Sequence, residues 1–427
     1  MSHDLLFVNA RQVVTCVGPA RARRGREMGD AAVREGIAVH VQADTIVDVG
    51  LETKLRAANP RATIVDCQGG VLTPGFVDSH THAVFGRARY EEQELRATGV
   101  SYMDIARRGG GIHASVRDLR ARDEDELFGL AEPRLAALAA SGVTTVEVKS
   151  GYGLSLDDEL KMLRVIRRLA ETMPMRIVPT WLGAHEIPLE YRDREGGRRE
   201  YVDRLVHEML PAVAGERLAR FADVFCEPGV FTVDESREIL TAARAAGLGI
   251  KLHADELSAG GGAELAASLR ATSADHLAAV SEAGISALAG AGTVATLLPA
   301  TLLFLGKRDH APARRLVEAG VPVALASDFN PGTSPTTNFP LVLTLGVSQL
   351  GLRVAEVLVA ATVNGAAALG LADRVGQLAP GFSADLALWG VEDVRELPYW
   401  LGAGRCRASW TRGKPCHPRD LALASSR

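Results

Sequence analysis

The sequence predicts an α/β fold: a (β/α)8 TIM-type barrel with a small β-sandwich domain built from both chain termini. Three observations predict it. Short β-branched runs alternate with longer stretches of helical period through the middle of the chain. The two ends carry only short strand-like runs separated by turns. Histidines recur where the predicted strands end, and a barrel gathers its chemistry at the C-terminal ends of its strands. The expected divisions are 1–72 for the first part of the sandwich, 73–374 for the barrel and 375–427 for the remaining sandwich and a C-terminal tail.

At the N-terminus, Leu5–Asn9, Ile37–Gln42, Thr45–Val49 and Thr63–Asp66 read as strands. The Arg-rich stretch Arg21–Arg26 lies between two of them and reads as a solvated loop, because no aromatic residues interleave for base stacking. The barrel strands fall near Phe76–His80, Val143–Lys149, Ile177–Gly183, Ala222–Cys226, Gly249–His253, Ala271–Asp275, Thr293–Leu297 and Val321–Ser327. Periodicity alone leaves the count open by one. Between them, Glu132–Ala140 reads as a helix stopped at Ser141-Gly142. In Leu156–Ala170, Leu156, Leu160, Leu163, Ile166 and Leu169 line one helical face. Residues Ala283–Gly306 carry no formal charge, but their glycines, proline and hydroxyl residues predict a buried helix-turn-strand segment rather than a membrane span. Ala384–Trp389, after the turn Pro380-Gly381, returns to strand-like alternation. Beyond Trp389, Cys406 and Cys416 included, no functional reading emerges.

Composition narrows the class. The 427 residues include 48 basic and 52 acidic side chains, a net charge of −4, with 47% hydrophobic residues. Wholesale disorder is excluded, and so is a nucleic-acid binder led by a global positive field. Five scattered cysteines without a C-x-x-C pair predict reduced thiols and a cytoplasmic protein. Met1-Ser2-His3-Asp4 lacks the basic start and apolar core of a signal peptide.

Of eleven histidines, His80, His82, His185, His253 and His276 fall at or just beyond strand ends, and Asp328 follows the eighth strand. His80 and His82 are two apart, so on a strand both imidazoles face the same way and can reach one ion. His253-Ala254-Asp255-Glu256 sets a possible ligand three residues before a possible proton carrier. Taken alone, His276 also reads as a core-facing histidine and Asp328 as a helix cap.

Leu72-Thr73-Pro74-Gly75-Phe76-Val77-Asp78-Ser79-His80-Thr81-His82 closely resembles the opening motif of the amidohydrolase superfamily, and His253-Ala254-Asp255-Glu256 resembles the H-A-x-E motif of its one-metal members. The resemblance implies His80, His82, His253 and Asp328 as metal ligands, and Glu256, His276 and Asp328 as catalytic residues. Three imidazoles, a carboxylate and a water suit one divalent metal per chain; Zn2+ is the first expectation, and the ligands also accept iron or manganese. Two-metal members usually need a carboxylated lysine on strand four. None of the six lysines lies in Ala222–Cys226, which favours one metal; Lys149 on strand two is the residue that could upset this.

The strings E-V-K-S-G-Y-G (147–153), G-A-H (183–185), H-A-D-E (253–256) and S-D-F-N-P-G-T (327–333), in that order, resemble the imidazolonepropionase family, from the N-terminal β segment to about Trp389. That resemblance implies a homodimeric enzyme of histidine degradation. It would hydrolyse 4-imidazolone-5-propanoate, a cyclic amide, to N-formimidoyl-L-glutamate, with no nucleic-acid or membrane partner. Substrate contacts would come from Arg89, Tyr102, Tyr152, His185, Glu256, Asn330, Gly332 and Thr333. A propanoate is best held by a planar, permanently charged guanidinium, which suits Arg89. Glu256 would move the proton from water to the leaving nitrogen while His276 steadies the oxyanion. Gly109–Gly111 lacks the residues of a phosphate loop and reads as a flexible active-site loop. Two rivals remain: a deaminase of the same superfamily, which would release ammonia, and a non-catalytic metal-binding barrel.

Overall fold

The computed structural model describes residues 4–100, 104–105 and 109–418. Seven strands precede the barrel: β1 (Asp4–Val8), β2 (Gln12–Val14), β3 (Val33–Arg34), β4 (Ile37–Gln42), β5 (Thr45–Leu51), β6 (Thr63–Asp66) and β7 (Val71–Pro74). The barrel strands are β8 (Phe76–Asp78), β9 (Val143–Lys149), β10 (Arg176–Ala184), β11 (Phe221–Cys226), β12 (Gly249–Ala254), β13 (Ser273–His276), β14 (Val294–Leu297) and β15 (Val323–Leu325). Three more follow: β16 (Leu386–Trp389), β17 (Cys406–Thr411) and β18 (Lys414–His417).

Strands β8 to β15 pair in sequence order, each parallel to the next, with helices in the connections. The count of eight is therefore correct. The seam between first and last strands is closed just beyond their ends. His82 N donates to Phe329 O at 2.8 Å, and Asp328 N donates to His80 O at 3.1 Å. Asp78 adds a second stitch, accepting from Ser327 N at 2.9 Å and from the Ser327 hydroxyl.

The uncharged stretch is a helix (Glu282–Ala291), β14 and a short helix (Pro299–Phe304), buried from Thr293 to Thr301 and on one face of the first helix, with Ala283, Ser286, Gly290 and Leu303 exposed. The helix Leu156–Thr172 runs two residues past its predicted end. The helix read from Glu132 begins earlier, at Glu124, where Asp123 caps it by accepting from Glu126 N. Pro133 sits inside this helix. Its ring crowds the carbonyl four residues back, that of Gly129.

The termini form two sheets. One has the order β5-β4-β1-β6 and the other β18-β17-β16-β7-β2-β3. They share a core in which Leu5, Phe7, Val39 and Ile46 of the first meet Val13, Leu72, Leu386 and Trp410 of the second. Phe7 and Trp410 join edge to face, centroids 4.9 Å apart. Alternation along β16 then docks the second sheet on the barrel. Leu386 and Leu388 face the shared core, while Ala387 and Trp389 face the barrel core, with Trp389 against Phe76 at 5.0 Å. Strands β17 and β18 lie in the stretch after Trp389 for which the sequence offers no reading. The Arg-rich loop also needs correction. Arg23 is buried, and its guanidinium donates to Pro19 O at 3.2 Å and Cys16 O at 3.3 Å. None of the five cysteines is in a disulfide. Among the described residues no helix is long and apolar enough to cross a membrane.

Candidate active site

Four strand ends converge on one buried group. The metal-binding atoms of His80, His82 and His253 lie within 4.8 Å of one another, and so do those of His80, His276 and Asp328. Asp328 Oδ1 stands 3.5 Å from His80 Nε2 and 3.6 Å from His82 Nε2. The His80 ring centre is 4.5 Å from that of His253 and 5.3 Å from those of His82 and His276. Asp255, His276 and Asp328 carry positive φ, at 49°, 78° and 52°. Such backbone is costly for side-chain-bearing residues and clusters at functional sites. Here it turns the chain sharply where each strand ends.

The imidazoles are oriented from behind. His80 Nδ1 is 2.7 Å from Asp275 Oδ2, and His253 Nδ1 is 3.0 Å from Asp223 Oδ2. The His80 Nδ1 contact is a hydrogen bond, and at His253 the Asp223 carboxylate stands behind the ring at ion-pair distance, so that the opposite nitrogens point into the shared space. Nε2 of His80, His253 and His276 are buried and find no protein hydrogen-bond partner. Buried polar atoms are rarely left so, and three imidazole nitrogens beside a carboxylate oxygen are the donor set of a transition-metal site; at His253 burial is outweighed by the Asp223 carboxylate, which raises the imidazole and favours a proton that a bound cation would replace. The group can therefore bind a metal. Burial holds the His80, His82 and His276 imidazoles well below their usual range, hence neutral and ligand-competent. Asp328 Oδ2 accepts from the Thr301 hydroxyl at 2.6 Å, which leaves Oδ1 toward the histidines.

Glu256 lies beside this group, its Oε2 3.5 Å from His276 Nε2. Burial and the nearby Asp328 push its carboxyl up to about 8. His185 stacks on His82 with centroids 5.2 Å apart, and Tyr152 lies 5.4 Å from His185. His185 Nδ1 is 2.9 Å from Gly151 O. The loop that carries Tyr152 is held by Glu159 Oε1, which accepts from the amides of Gly151, Gly153 and Leu154 at 2.9–3.1 Å.

Arg89 is buried between loops from opposite sides of the seam. Its Nη1 donates to Ser115 Oγ at 3.2 Å, and its Nε lies 3.4 Å from Glu92 Oε2. The guanidinium rests directly on Gly332, where an added Cβ would come 1.5 Å from Nη2. Asn330 Oδ1 accepts from the amides of Gly332 at 2.9 Å and Thr333 at 2.8 Å. These amides therefore shape the loop itself. Tyr102 lies outside the described residues.

Sequence reasoning missed Asp223, Asp275, Thr301 and Glu159. Asp275 was within reach, since it directly precedes His276 on a strand that neighbours His253. Asp223 and Thr301 carry no motif, because only strand pairing and helix placement bring them to the site. Lys149 is fully engaged below it, 2.8 Å from both Glu147 and Asp223.

A parallel eight-stranded barrel with a buried His/Asp donor group at its strand ends defines a metal-dependent hydrolase of the amidohydrolase class, and residues 103–416 match the Amidohydrolase family. The fold is similar to that of an adenosine deaminase from Xanthomonas campestris solved with bound zinc, with a TM-score of 0.71 at 21% identity over 98% of this chain and 94% of that one. The chain is 50% identical to the imidazolonepropionase of Symbiobacterium thermophilum over 96% of each protein. It is 45% identical to that of Geobacillus kaustophilus over 96% of this chain and 97% of the relative. The chain belongs to the imidazolonepropionase family.

Proposed function

We propose that the chain hydrolyses 4-imidazolone-5-propanoate to N-formimidoyl-L-glutamate. The reading rests on membership of the family and on one observation: a buried His/Asp donor group with Glu256 beside it. His80, His82, His253 and Asp328 would hold one divalent cation, Zn2+ first and iron as the alternative. Such a cation lowers the pKa of a water and polarises a carbonyl.

The chain's own residues do the rest. Arg89 pairs with the propanoate, and the Gly332 backbone sets how deep the guanidinium sits. Tyr152 and His185 flank the ring, and Asn330 fixes the loop that closes over the arm with Gly332 and Thr333. Tyr102 is a further contact carried over from the family pattern. Glu256 takes a proton from water as the oxygen adds to the ring carbonyl, and His276 donates to the developing oxyanion. Glu256 then returns the proton to the ring nitrogen as the C–N bond breaks. A carboxyl pushed up to about 8 suits a group that must both take and give a proton near neutrality. A cytoplasmic homodimer completes the proposal; five cysteines without a disulfide fit a reducing compartment.

The test is an absorbance time course with freshly generated substrate, corrected for spontaneous decay, beside metal analysis of the same sample. Metal-dependent substrate loss with N-formimidoyl-L-glutamate accumulating supports the reading. Bound metal without acceleration over the blank, or ammonia as the product, overturns the assigned reaction.

A further inference from the structure

Directly beneath the donor group the barrel buries five charged side chains in one layer: Glu147 and Lys149 from β9, Asp223 from β11, Lys251 from β12 and Asp275 from β13. All are wholly inaccessible to solvent. Glu147 Oε2 is shared by both ammoniums, 2.8 Å from Lys149 Nζ and 2.8 Å from Lys251 Nζ. Its other oxygen accepts from the Thr180 hydroxyl. Lys251 Nζ also donates to Ser79 O at 2.8 Å, and Lys149 Nζ donates to Asp223 Oδ2 at 2.8 Å. Both ammoniums stand 3.6 Å from Asp275 Oδ2.

The two aspartates of this layer are the same two that face the Nδ1 atoms of His80 and His253. Asp275 is fixed from its other side by the Ser273 hydroxyl at 2.6 Å, and Asp223 by the amides of Val224 and His253 at 2.8 and 3.2 Å. Three carboxylates against two ammoniums leave one negative charge. Asp328 adds a second, and a dication held by the imidazoles would cancel both. Burying unpaired charge is costly, so a layer balanced in this way is complete only with the ion above it.

We propose that Lys149 and Lys251 are positioning residues of the metal centre. They hold Asp275 and Asp223 in place as acceptors for Nδ1 of His80 and His253, and so aim both Nε2 atoms at the ion. Carboxylates behind metal-bound imidazoles typically contribute 10- to 100-fold in metal affinity; here the lysines stand one step further back and act through both carboxylates together. Lys149, with its ammonium 2.8 Å from both Glu147 and Asp223, also has no role as a bridging carbamate.

The inference rests on the metal reading given above, and one experiment separates the two. Zn2+ affinity is measured by chelator competition for the full-length wild type, Lys149→Met, Lys251→Met and the double variant Glu147→Gln/Lys251→Met, which loses one charge of each sign. Co2+ spectra and steady-state kinetics at saturating metal accompany it. Each single variant is expected to bind about 10- to 100-fold more weakly, with a shifted Co2+ spectrum. At saturating metal kcat should fall while KM stays within about two-fold, because Arg89 is untouched. Folded single variants with wild-type affinity and an unchanged spectrum would overturn the proposal. If the single variants do not fold, the double variant decides: weakened affinity supports the proposal and wild-type affinity overturns it. A wild type that binds no divalent metal defeats the metal reading instead.

Discussion

Between the two terminal sheets the packing is hydrocarbon, with Leu5, Phe7, Val39, Leu72, Leu386 and Trp410 interlocked at the centre. The barrel interior below the donor group is packed as tightly, but with Glu147, Lys149, Asp223, Lys251 and Asp275. The first interior gains free energy in proportion to the apolar area it hides. The second pays a desolvation cost that hydrophobic residues of the same volume would avoid. The difference teaches what each region is for. The sandwich holds the ends of the chain on the barrel, and the charged layer holds side chains in orientations that apolar packing alone would not select.

If that division is right, the two regions should respond to mutation in different observables. Glu256→Gln should give the largest effect on turnover, a kcat lower by about 10²- to 10⁴-fold with metal content and melting temperature unchanged. A loss of less than about ten-fold removes Glu256 from the proton transfers. Trp410→Ala should do the reverse. Truncating the ring that meets Phe7 across the two sheets should cost about 3–5 kcal/mol in denaturant unfolding, while kcat/KM well below the melting point stays within about two-fold. Activity lost in proportion to stability would show that the sandwich shapes the pocket and would dissolve the contrast.

A smaller effect should separate binding from chemistry within the barrel. Arg89→Ala removes a charge-assisted pair worth about 1.5–3 kcal/mol, so KM should rise by about 10- to 150-fold with kcat little changed. Gly332→Ala is the sharper version. Its new methyl would collide with the guanidinium, so KM should rise although every charged residue remains. Unchanged KM in both variants would place the propanoate elsewhere.

How much of this was legible in the sequence follows the same division. Residues near one another in the chain announced themselves: His80 and His82 share a strand face, and His253 and Glu256 share a strand end. The barrel strands were legible because buried parallel strands read as apolar runs bounded by turns. Strands β17 and β18 were not, because Arg407, Lys414 and other exposed side chains dilute the alternation around Ala408 and Trp410. Asp223, Thr301 and the lysine layer depend on strand neighbours far apart in sequence; Lys149 and Asp223 meet only because β9, β10 and β11 lie side by side. A buried lysine looks like any other lysine until the sheet order is known.

A pH-dependent effect tests whether the seam of the barrel follows the charged plan or the neutral one. Asp78 is completely buried where β8 meets the chain after β15, accepting from the amide and hydroxyl of Ser327. No ammonium or guanidinium is within ion-pair distance among the described residues, and burial pushes its carboxyl up from an ordinary value of 3.8 to about 7. A carboxyl whose pKa is raised by folding contributes stability that is fully present below its unfolded value. That contribution is lost as pH climbs through the folded value. The loss should therefore begin near pH 4 and be complete above about pH 7. Asp78→Asn removes the titration while its amide group can still accept from the Ser327 amide and donate to the hydroxyl. The melting temperature of the variant relative to wild type should rise between about pH 4 and pH 7 and level off above that, in metal-free and metal-loaded protein alike. A difference that stays constant over this range would mean that Asp78 is ionised throughout, and that the seam, like the layer beneath the site, is held by a buried charge.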